Sequence, residues 1–203
     1  MEGIIKKLAI LGYGGHSKVV CEIAEQKNFE ILIFDDNLNN KQACAGIINE
    51  FYEDGPEYFH VAIGDNEKRK RIFCEALLNN KKPVTLIHAS SVISNKAKLH
   101  DGIFVGPKAV INADAEIGKG TIINSASLVE HDCKIGDFSH ICPMSALAGN
   151  VKVGDMAFIG IGSCVKNDIL IGNQVTVGAG SVIVKNLDDN NLYFGNPARK
   201  NEE

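Results

Sequence analysis

"IFVGPKAVINADAEIGKGTIINSASLVEHDCKIGDFSHI", residues 103–141, repeats itself every six residues. Val105, Ile111, Ile117, Ile123, Val129, Ile135 and Ile141 keep the step, and it runs outward in both directions. Ile93 and Leu99 precede the stretch, while Leu147, Val153, Ile159, Val165, Ile171, Val177 and Ile183 follow it, with no insertion. If such side chains fill about a quarter of positions, sixteen hits in a row have chance odds on the order of 10⁻¹⁰. Two residues before each aliphatic the side chain is usually small, as at Ala97, Ala109, Ala115, Thr121, Ser127, Cys133, Ser139, Ser145, Ala157, Ser163 and Ser181. The exceptions, Ile103, Val151, Ile169 and Val175, are apolar. Strand alternation sends both members of each pair to one side, so both are expected to point inward. Glycine follows the aliphatic at 106, 118, 136, 154, 160, 172 and 178, where each short strand is expected to turn a corner. Ile117-Gly118, Ile135-Gly136, Val153-Gly154 and Ile171-Gly172 recur at every third hexad. Three six-residue faces per turn predict a triangular prism, a parallel β-helix whose five coils would stand roughly 24 Å tall.

Residues 1–84 follow another rule. "KLAILG" reads as a buried strand, "YGGHSKVVCEIAEQKN" as a glycine turn into a helix, and "EILIFDDN" as a second strand. "HVAIGDNEKRKRIFCEALLNN" then reads as strand, turn and amphipathic helix, with Ile72, Ala76 and Leu77 on one face. That alternation predicts a small Rossmann-like α/β domain at 1–84, with loops mainly at 37–57, and the prism domain with its tail at 85–203.

The bulk properties narrow the function classes. A formal net charge of −4 argues against a nucleic-acid binder, and "KRKR" at 68–71 reads as a solvated helix face. No apolar run approaches the ~20 residues a membrane helix needs. Six cysteines without a C-x-x-C pair point to reduced thiols in the cytoplasm rather than disulfides or a zinc ribbon. Cys133 occupies an inward slot and reads as a core thiol. A chain without tryptophan and with 6% aromatics is expected to build its core from small and branched aliphatics.

"GYGGHS", between a strand and a helix, matches the dinucleotide fingerprint except that Ser17 stands at its third glycine. Glycines let the backbone approach a ligand, and the helix start offers N–H groups and positive potential to a phosphate. Asp35 and Asp36, at the end of the second strand, have the chemistry to accept hydrogen bonds from a base or sugar. A nucleotide-containing ligand accounts for both features; a tight turn and a solvated strand end is the alternative. In the repeat, His131 lies between Glu130 and Asp132, two residues past inward Val129, so its ring should leave the prism at a corner. A neutral imidazole there can take a proton from an attacking amine, and an adjacent carboxylate fixes its tautomer and favours the imidazolium. An isolated histidine on a solenoid surface is otherwise a solvated side chain. His60 and His100 read as surface residues. Only His131 and His140 lie in the repeat core, too few for a β-helical metal enzyme, so no metal is expected. A non-catalytic scaffold is the remaining alternative.

The motifs "ILGYGGHSKVV", "IFDDN", "VAIGDNEKRKRI", "NSASLVEHDCKIGDFSHI", "LAGNVKVGD", "IGIGSCVKN" and "GNPARK" resemble the hexapeptide acyltransferases. Within them they look like the UDP-4-amino-sugar N-acetyltransferases of bacillosamine type, with sialic acid O-acetyltransferases as close relatives. The resemblance covers nearly the whole chain. It implies a left-handed β-helix and a homotrimer, with acetyl-CoA as co-substrate and acetyl transfer to the 4-amino group of a UDP-linked deoxysugar. A GDP- or dTDP-linked amino sugar, or O-acetylation, is the alternative. It further implies His131 as general base, Asp132 as the acid that raises its basicity, and Asn124 facing the acceptor sugar. Many relatives carry Glu at the second position, so Asp132 is shorter than the family pattern. Gly14, Gly15, His16, Asp35, Asp36 and Gly64 match the nucleotide-sugar site, and His140, Ile161 and Ala179 the coenzyme A groove. "NLYFGNPARK" is expected to close the prism or lean toward the coenzyme.

Overall fold

The computed structural model describes residues 6–37, 39 and 42–201. They form two compact units, divided between Leu86 and Ile87.

The first unit is a four-stranded parallel sheet. Strand β1 is Lys7–Leu11, helix α1 Gly15–Gln26, β2 Glu30–Phe34, α2 Ile48–Asp54, β3 Tyr58–Val61, α3 Asn66–Leu78 and β4 Lys82–Pro83, with sheet order β2-β1-β3-β4. Leu8 to Leu11 are fully buried because β1 is central, as a run without polar alternation implies. The expected loop at 37–57 instead carries α2, whose start is held by two carboxylates: Asp36 Oδ1 accepts the Ile48 amide at 3.0 Å and Glu50 Oε2 the Ile47 amide at 3.0 Å. Phe51 on α2 closes an aromatic cluster with Phe34, Phe59 and Phe73, ring centroids 5.4–6.0 Å apart along the chain of contacts. The scarce aromatics are therefore concentrated here, so the core of small and branched aliphatics expected from composition describes the second unit better than this one. Helix α3 buries Arg69, Ile72, Phe73 and Ala76, whereas Leu77 is 43% exposed. The buried stripe is offset from the expected one, because Phe73 takes the sheet-facing position.

The second unit is a left-handed parallel β-helix. Two-residue strands stack on partners three hexads away, Glu116 on Lys134 and Ile122 on His140, for example. The first face runs from Leu86–Ile87 to Leu192–Phe194, the second from Val92–Ile93 to Val182–Ile183, and the third from Lys98–Leu99 to Leu170–Ile171. The stack thus starts one strand earlier than the hexads alone reveal. It ends in an antiparallel pair, Tyr193↔Lys200 and Phe194↔Arg199, so "NLYFGNPARK" closes the last coil. The aliphatic series and its small partners fill the interior: Val105, Ile123, Val129, Ile141, Ala115, Cys133 and Ser145 are all fully buried. The buried hydroxyls are satisfied by carbonyls one coil on, Thr121 Oγ1 to Gly136 at 2.8 Å and Ser139 Oγ to Gly154 at 2.8 Å.

The corners differ from expectation. The residue with left-handed backbone is not the glycine after each aliphatic but the residue two further on. Every sixth position from 102 to 180 has φ between 53° and 70°, Asp132 among them at 61°. The glycines after the aliphatics have a different cause, close stacking: a Cβ on Gly118 would stand 2.6 Å from the Asp137 amide nitrogen, and one on Gly154 2.6 Å from that of Asn173. Along this edge each side-chain oxygen accepts an amide from the coil before it. Asp137 takes Lys119 N–H at 2.9 Å, Asp155 takes Asp137 N–H at 2.8 Å, and Asn173 takes Asp155 N–H at 2.9 Å. That ladder accounts for the pairs Gly136-Asp137, Gly154-Asp155 and Gly172-Asn173.

The three faces differ outside. Outward positions of the third face are Lys98, Glu116, Lys134, Lys152 and Leu170, mostly charged. Those of the second are Val92, Val110, Leu128, Ala146, Cys164 and Val182, all apolar or thiol.

Candidate active site

His131 sits at the corner after the second-face strand Leu128–Val129. Val129 is fully buried, and the side chains of His131 and Asp132 are 61% and 59% exposed, so the ring leaves the prism. Nδ1 stands 2.8 Å from Asp132 Oδ2. The left-handed φ of 61° at Asp132 is tolerated by Asp better than by most residues, and it turns the short carboxylate back onto the preceding ring. Asp132 therefore reaches its partner without the extra methylene of Glu. A carboxylate can only accept, so Nδ1 carries the hydrogen and Nε2 presents a lone pair. The pKa of His131 is raised, first by this hydrogen bond, which outweighs partial desolvation, and then by the charges of Asp132 and Glu130. One coil on lies Gly149, and a Cβ there would come within 2.6 Å of Cε1 and 2.7 Å of Nε2 of the ring. Sequence reasoning missed Gly149; its place one full coil after His131 was the available signal.

Asn124 belongs to the preceding corner, after Ile123. Its Nδ2 lies 3.0 Å from Nε2 of His140 in the next coil, and its Oδ1 accepts the Ser125 amide at 2.8 Å. His140 is 8% exposed and meets the Phe158 ring edge-on at 5.2 Å. It is a strand residue, and the edge it can offer a ligand is small. Ile161 and Ala179 stack one coil apart above the same corner, Ile161 51% exposed and Ala179 exposed. Asn124, His140, Ile161 and Ala179 thus share one flank, while His131 and Asp132 occupy the next corner. A single chain does not bring the two groups together.

In the first unit, Gly14, Gly15, His16, Asp35 and Gly64 line one cleft of about 300 Å³. Asp36 is not among its lining residues; its Oδ1 is engaged at the start of α2. Asp35 stays at the cleft, accepting the Tyr13 amide at 2.6 Å and the Asn37 amide at 2.6 Å. Ser17, at the third fingerprint position, donates to the Gly14 carbonyl at 2.7 Å. Gly12 is required by the fold, since its φ is 106° and a Cβ would lie 2.6 Å from Ile63 Cγ1. Gly14, Gly15 and Gly64 are different: open space faces the missing Cβ of each, and none has left-handed backbone. Beyond Asp35 and Asn37 a second cavity of about 490 Å³ is lined by residues 44–47 and Glu50.

The "KRKR" run is not a uniformly solvated face. Arg69 is 1% exposed, and its guanidinium donates to the Ile63 carbonyl at 3.0 Å, the Gly64 carbonyl at 3.0 Å and Asn66 Oδ1 at 2.8 Å. Lys68 lines the cleft, another site residue the sequence reading missed. His60, expected on the surface, is 2% exposed in β3, its Nδ1 2.8 Å from the Val84 carbonyl. Desolvation, partly countered by that bond and helped by the charge of Arg69, lowers its pKa to about 4. His100 is exposed as expected, with Nε2 3.1 Å from Glu116. Cys133 is a core thiol bonded to the Ala148 carbonyl at 3.2 Å. Among the described residues no cluster of His, Cys, Asp or Glu is arranged to hold a metal ion, and no helix is long and apolar enough to cross a membrane.

Residues 7–76 match the family described as PglD N-terminal domain. A UDP-N-acetylbacillosamine N-acetyltransferase of Bacillus subtilis (strain 168) is 33% identical over 115 residues, 50% of this chain and 51% of that protein. The chain therefore matches about half the length of this curated relative. A histidine variant of perosamine N-acetyltransferase from Caulobacter crescentus, solved with CoA and GDP-perosamine, superposes with a TM-score of 0.93 at 36% identity, covering 98% of each chain. The acetyltransferase domain of PglB from Neisseria gonorrhoeae FA1090, solved with acetyl coenzyme A, gives a TM-score of 0.92 at 36% identity, covering 97% of this chain and 100% of that one.

Proposed function

The chain belongs to the hexapeptide-repeat sugar N-acetyltransferases that carry a PglD-type N-terminal domain, and from that premise we propose that it moves acetyl from acetyl-CoA to the 4-amino group of a UDP-linked amino-deoxysugar of bacillosamine type. His131 is the general base. The observation that carries this reading is the His131–Asp132 pair, an outward imidazole whose Nδ1 is held at 2.8 Å by a carboxylate so that Nε2 faces solvent as a proton acceptor.

The amine lone pair attacks the thioester carbon, a C–N bond forms, and the carbonyl oxygen takes up negative charge. Nε2 of His131 accepts the proton the nitrogen sheds, and Asp132 stabilises the imidazolium. Collapse breaks the C–S bond, and the imidazolium returns its proton to the departing thiolate. No covalent enzyme intermediate and no metal enters the balance.

The first unit holds the nucleotide sugar, through Gly14, Gly15, His16, Asp35 and Gly64. The flank of Asn124, His140, Ile161 and Ala179 serves the acceptor and coenzyme A. Because one chain keeps that flank and His131 on successive corners, the complete site needs a second copy, and we take the assembly to be a homotrimer. The apolar outward row Val92, Val110, Leu128, Ala146, Cys164 and Val182 supports such packing, since the charged third face does not need cover. The free cysteines fit a reducing compartment, here the cytoplasm.

A GDP-linked acceptor is the second reading, favoured by the likeness to perosamine N-acetyltransferase over 98% of both chains. Thiol release from acetyl-CoA, measured with UDP-, GDP- and dTDP-linked amino sugars and with free sialic acid, separates the readings. Turnover with a UDP-amino sugar alone is the expected result; turnover only with free sugars would overturn the role given to the first unit.

A further inference from the structure

We propose, resting on the nucleotide-sugar reading above, that Lys68 is the cation that engages the diphosphate, and that the nucleoside lies at the opposite, Asp35 end of the cleft. Lys68 lines the same cleft as the glycine loop. Its backbone is fixed on both sides: Asp65 Oδ1 accepts the Lys68 amide at 2.7 Å, and the next residue, Arg69, is pinned inside the wall by its bonds to the Ile63 and Gly64 carbonyls. The root of the side chain is therefore held in register with Gly64. Its ammonium makes no ion pair or hydrogen bond with any described residue, so its charge is not already neutralised within the chain.

Two further features point to an anion on this side. The N-terminus of α1 has no acidic residue in its first turn and no side-chain cap, so its positive end is left uncompensated, whereas α3 has both Asp65 and Glu67. At Gly14, Gly15 and Gly64 neither packing nor backbone demands glycine, yet all three line the cleft that Lys68 lines, where side chains would take up room open to a ligand. Asp35 sets the polarity. Its carboxylate repels a diphosphate but accepts N–H or O–H groups, and the second cavity opens beyond it. A diphosphate near Lys68 therefore leaves the base and ribose to the Asp35 side.

Lys68→Gln in the full chain tests this, because the side chain is exposed and makes no contact the fold needs. UDP and GDP are titrated calorimetrically into both proteins, and uridine and guanosine by NMR. A charge-assisted contact predicts that the variant binds the diphosphate about 10-fold or more weakly, with nucleoside binding unchanged and the wild-type advantage shrinking as salt is added. Equal binding of the diphosphate by both proteins, or equal losses for diphosphate and nucleoside, would overturn the assignment of Lys68 alone. Failure of the wild-type chain to bind any of these ligands would overturn the nucleotide reading together with it.

Discussion

The imidazole of His131 lies directly over the α-carbon of Gly149, so closely that a Cβ at 149 would stand 2.6 Å from Cε1. Gly149 has no left-handed φ to explain it; the space above it is what the ring occupies. Gly149→Ala must push the ring off Asp132. A misplaced base costs on the order of 10²-fold in rate, so kcat should fall by about that factor with the fold intact. NMR titration should show the His131 pKa dropping toward its ordinary value as the bond to Asp132 lengthens. A variant that keeps both rate and pKa would mean the ring is not held where it stands.

On the proposed role of His131, Asp132 should set the pH dependence. A general base must be neutral, so activity should rise as pH climbs through the His131 pKa, which the Asp132 hydrogen bond, chiefly, raises above the usual imidazole value. Asp132→Asn tolerates the left-handed backbone but removes the charge. The acid limb of kcat/KM should move to lower pH, and the plateau should fall, because the imidazolium formed in the transition state loses its stabiliser. An unchanged acid limb would show that another group titrates.

His60 should make the protein acid-sensitive. Burial lowers its pKa to about 4 in the folded chain, against about 6.5 unfolded. Between those values the unfolded chain binds more protons, so stability is full above the unfolded pKa and declines as pH falls toward the folded one. Linkage puts the loss at pH 5 at about 2 kcal/mol. Urea unfolding at pH 7.5 and 5.0 should show it, and His60→Gln, which keeps a donor for the Val84 carbonyl, should flatten the difference. Equal pH dependence in both proteins would rule out His60 as its source.

The β-helix was legible because a two-residue strand repeated every six residues leaves each inward slot no freedom: Val129 or Ile141 must be aliphatic, and Ser139 must be small. The corners were less so, since the left-handed residue is Lys108, Phe138, Met156 or Asp132 as readily as glycine, and a mixed column has no visible composition. His131 stood out by its acids, and Asp132 reached it only through a backbone angle no sequence displays. Arg69 and Lys68 were misread for a related reason. In a charged run the helix phase decides which side chain is buried, and Arg69 turns inward only because the carbonyls of Ile63 and Gly64 wait there.

The ladder along the third edge should be stiff toward both of its parts. A Cβ on Gly136 would meet the carbonyl carbon of Gly154 at 2.5 Å and Asp155 Oδ1 at 2.5 Å, backbone that cannot give way. Gly136→Ala should cost about 1–3 kcal/mol, read from thermal or urea unfolding. Asp155→Ala, which only leaves the Asp137 amide to water, should cost about 1 kcal/mol. The reverse order would mean that the glycines serve the turn after all.

Asn124 dictates the tautomer of His140. Its Oδ1 is occupied by the Ser125 amide, so the group 3.0 Å from Nε2 of His140 is the amide NH₂, a donor. Nε2 is therefore the acceptor of this bond, which leaves the ring hydrogen to Nδ1. Protonating Nε2 would set two donors against each other at 8% exposure. Nitrogen chemical shifts at neutral pH should report a bare Nε2 in the wild type. Asn124→Asp replaces the donor with an acceptor, which should draw a proton onto Nε2. If the flank accepts coenzyme A, the KM for acetyl-CoA should rise with it while the pH limb governed by His131 stays in place. An Nε2 already protonated in the wild type at neutral pH would reverse the amide and the argument with it.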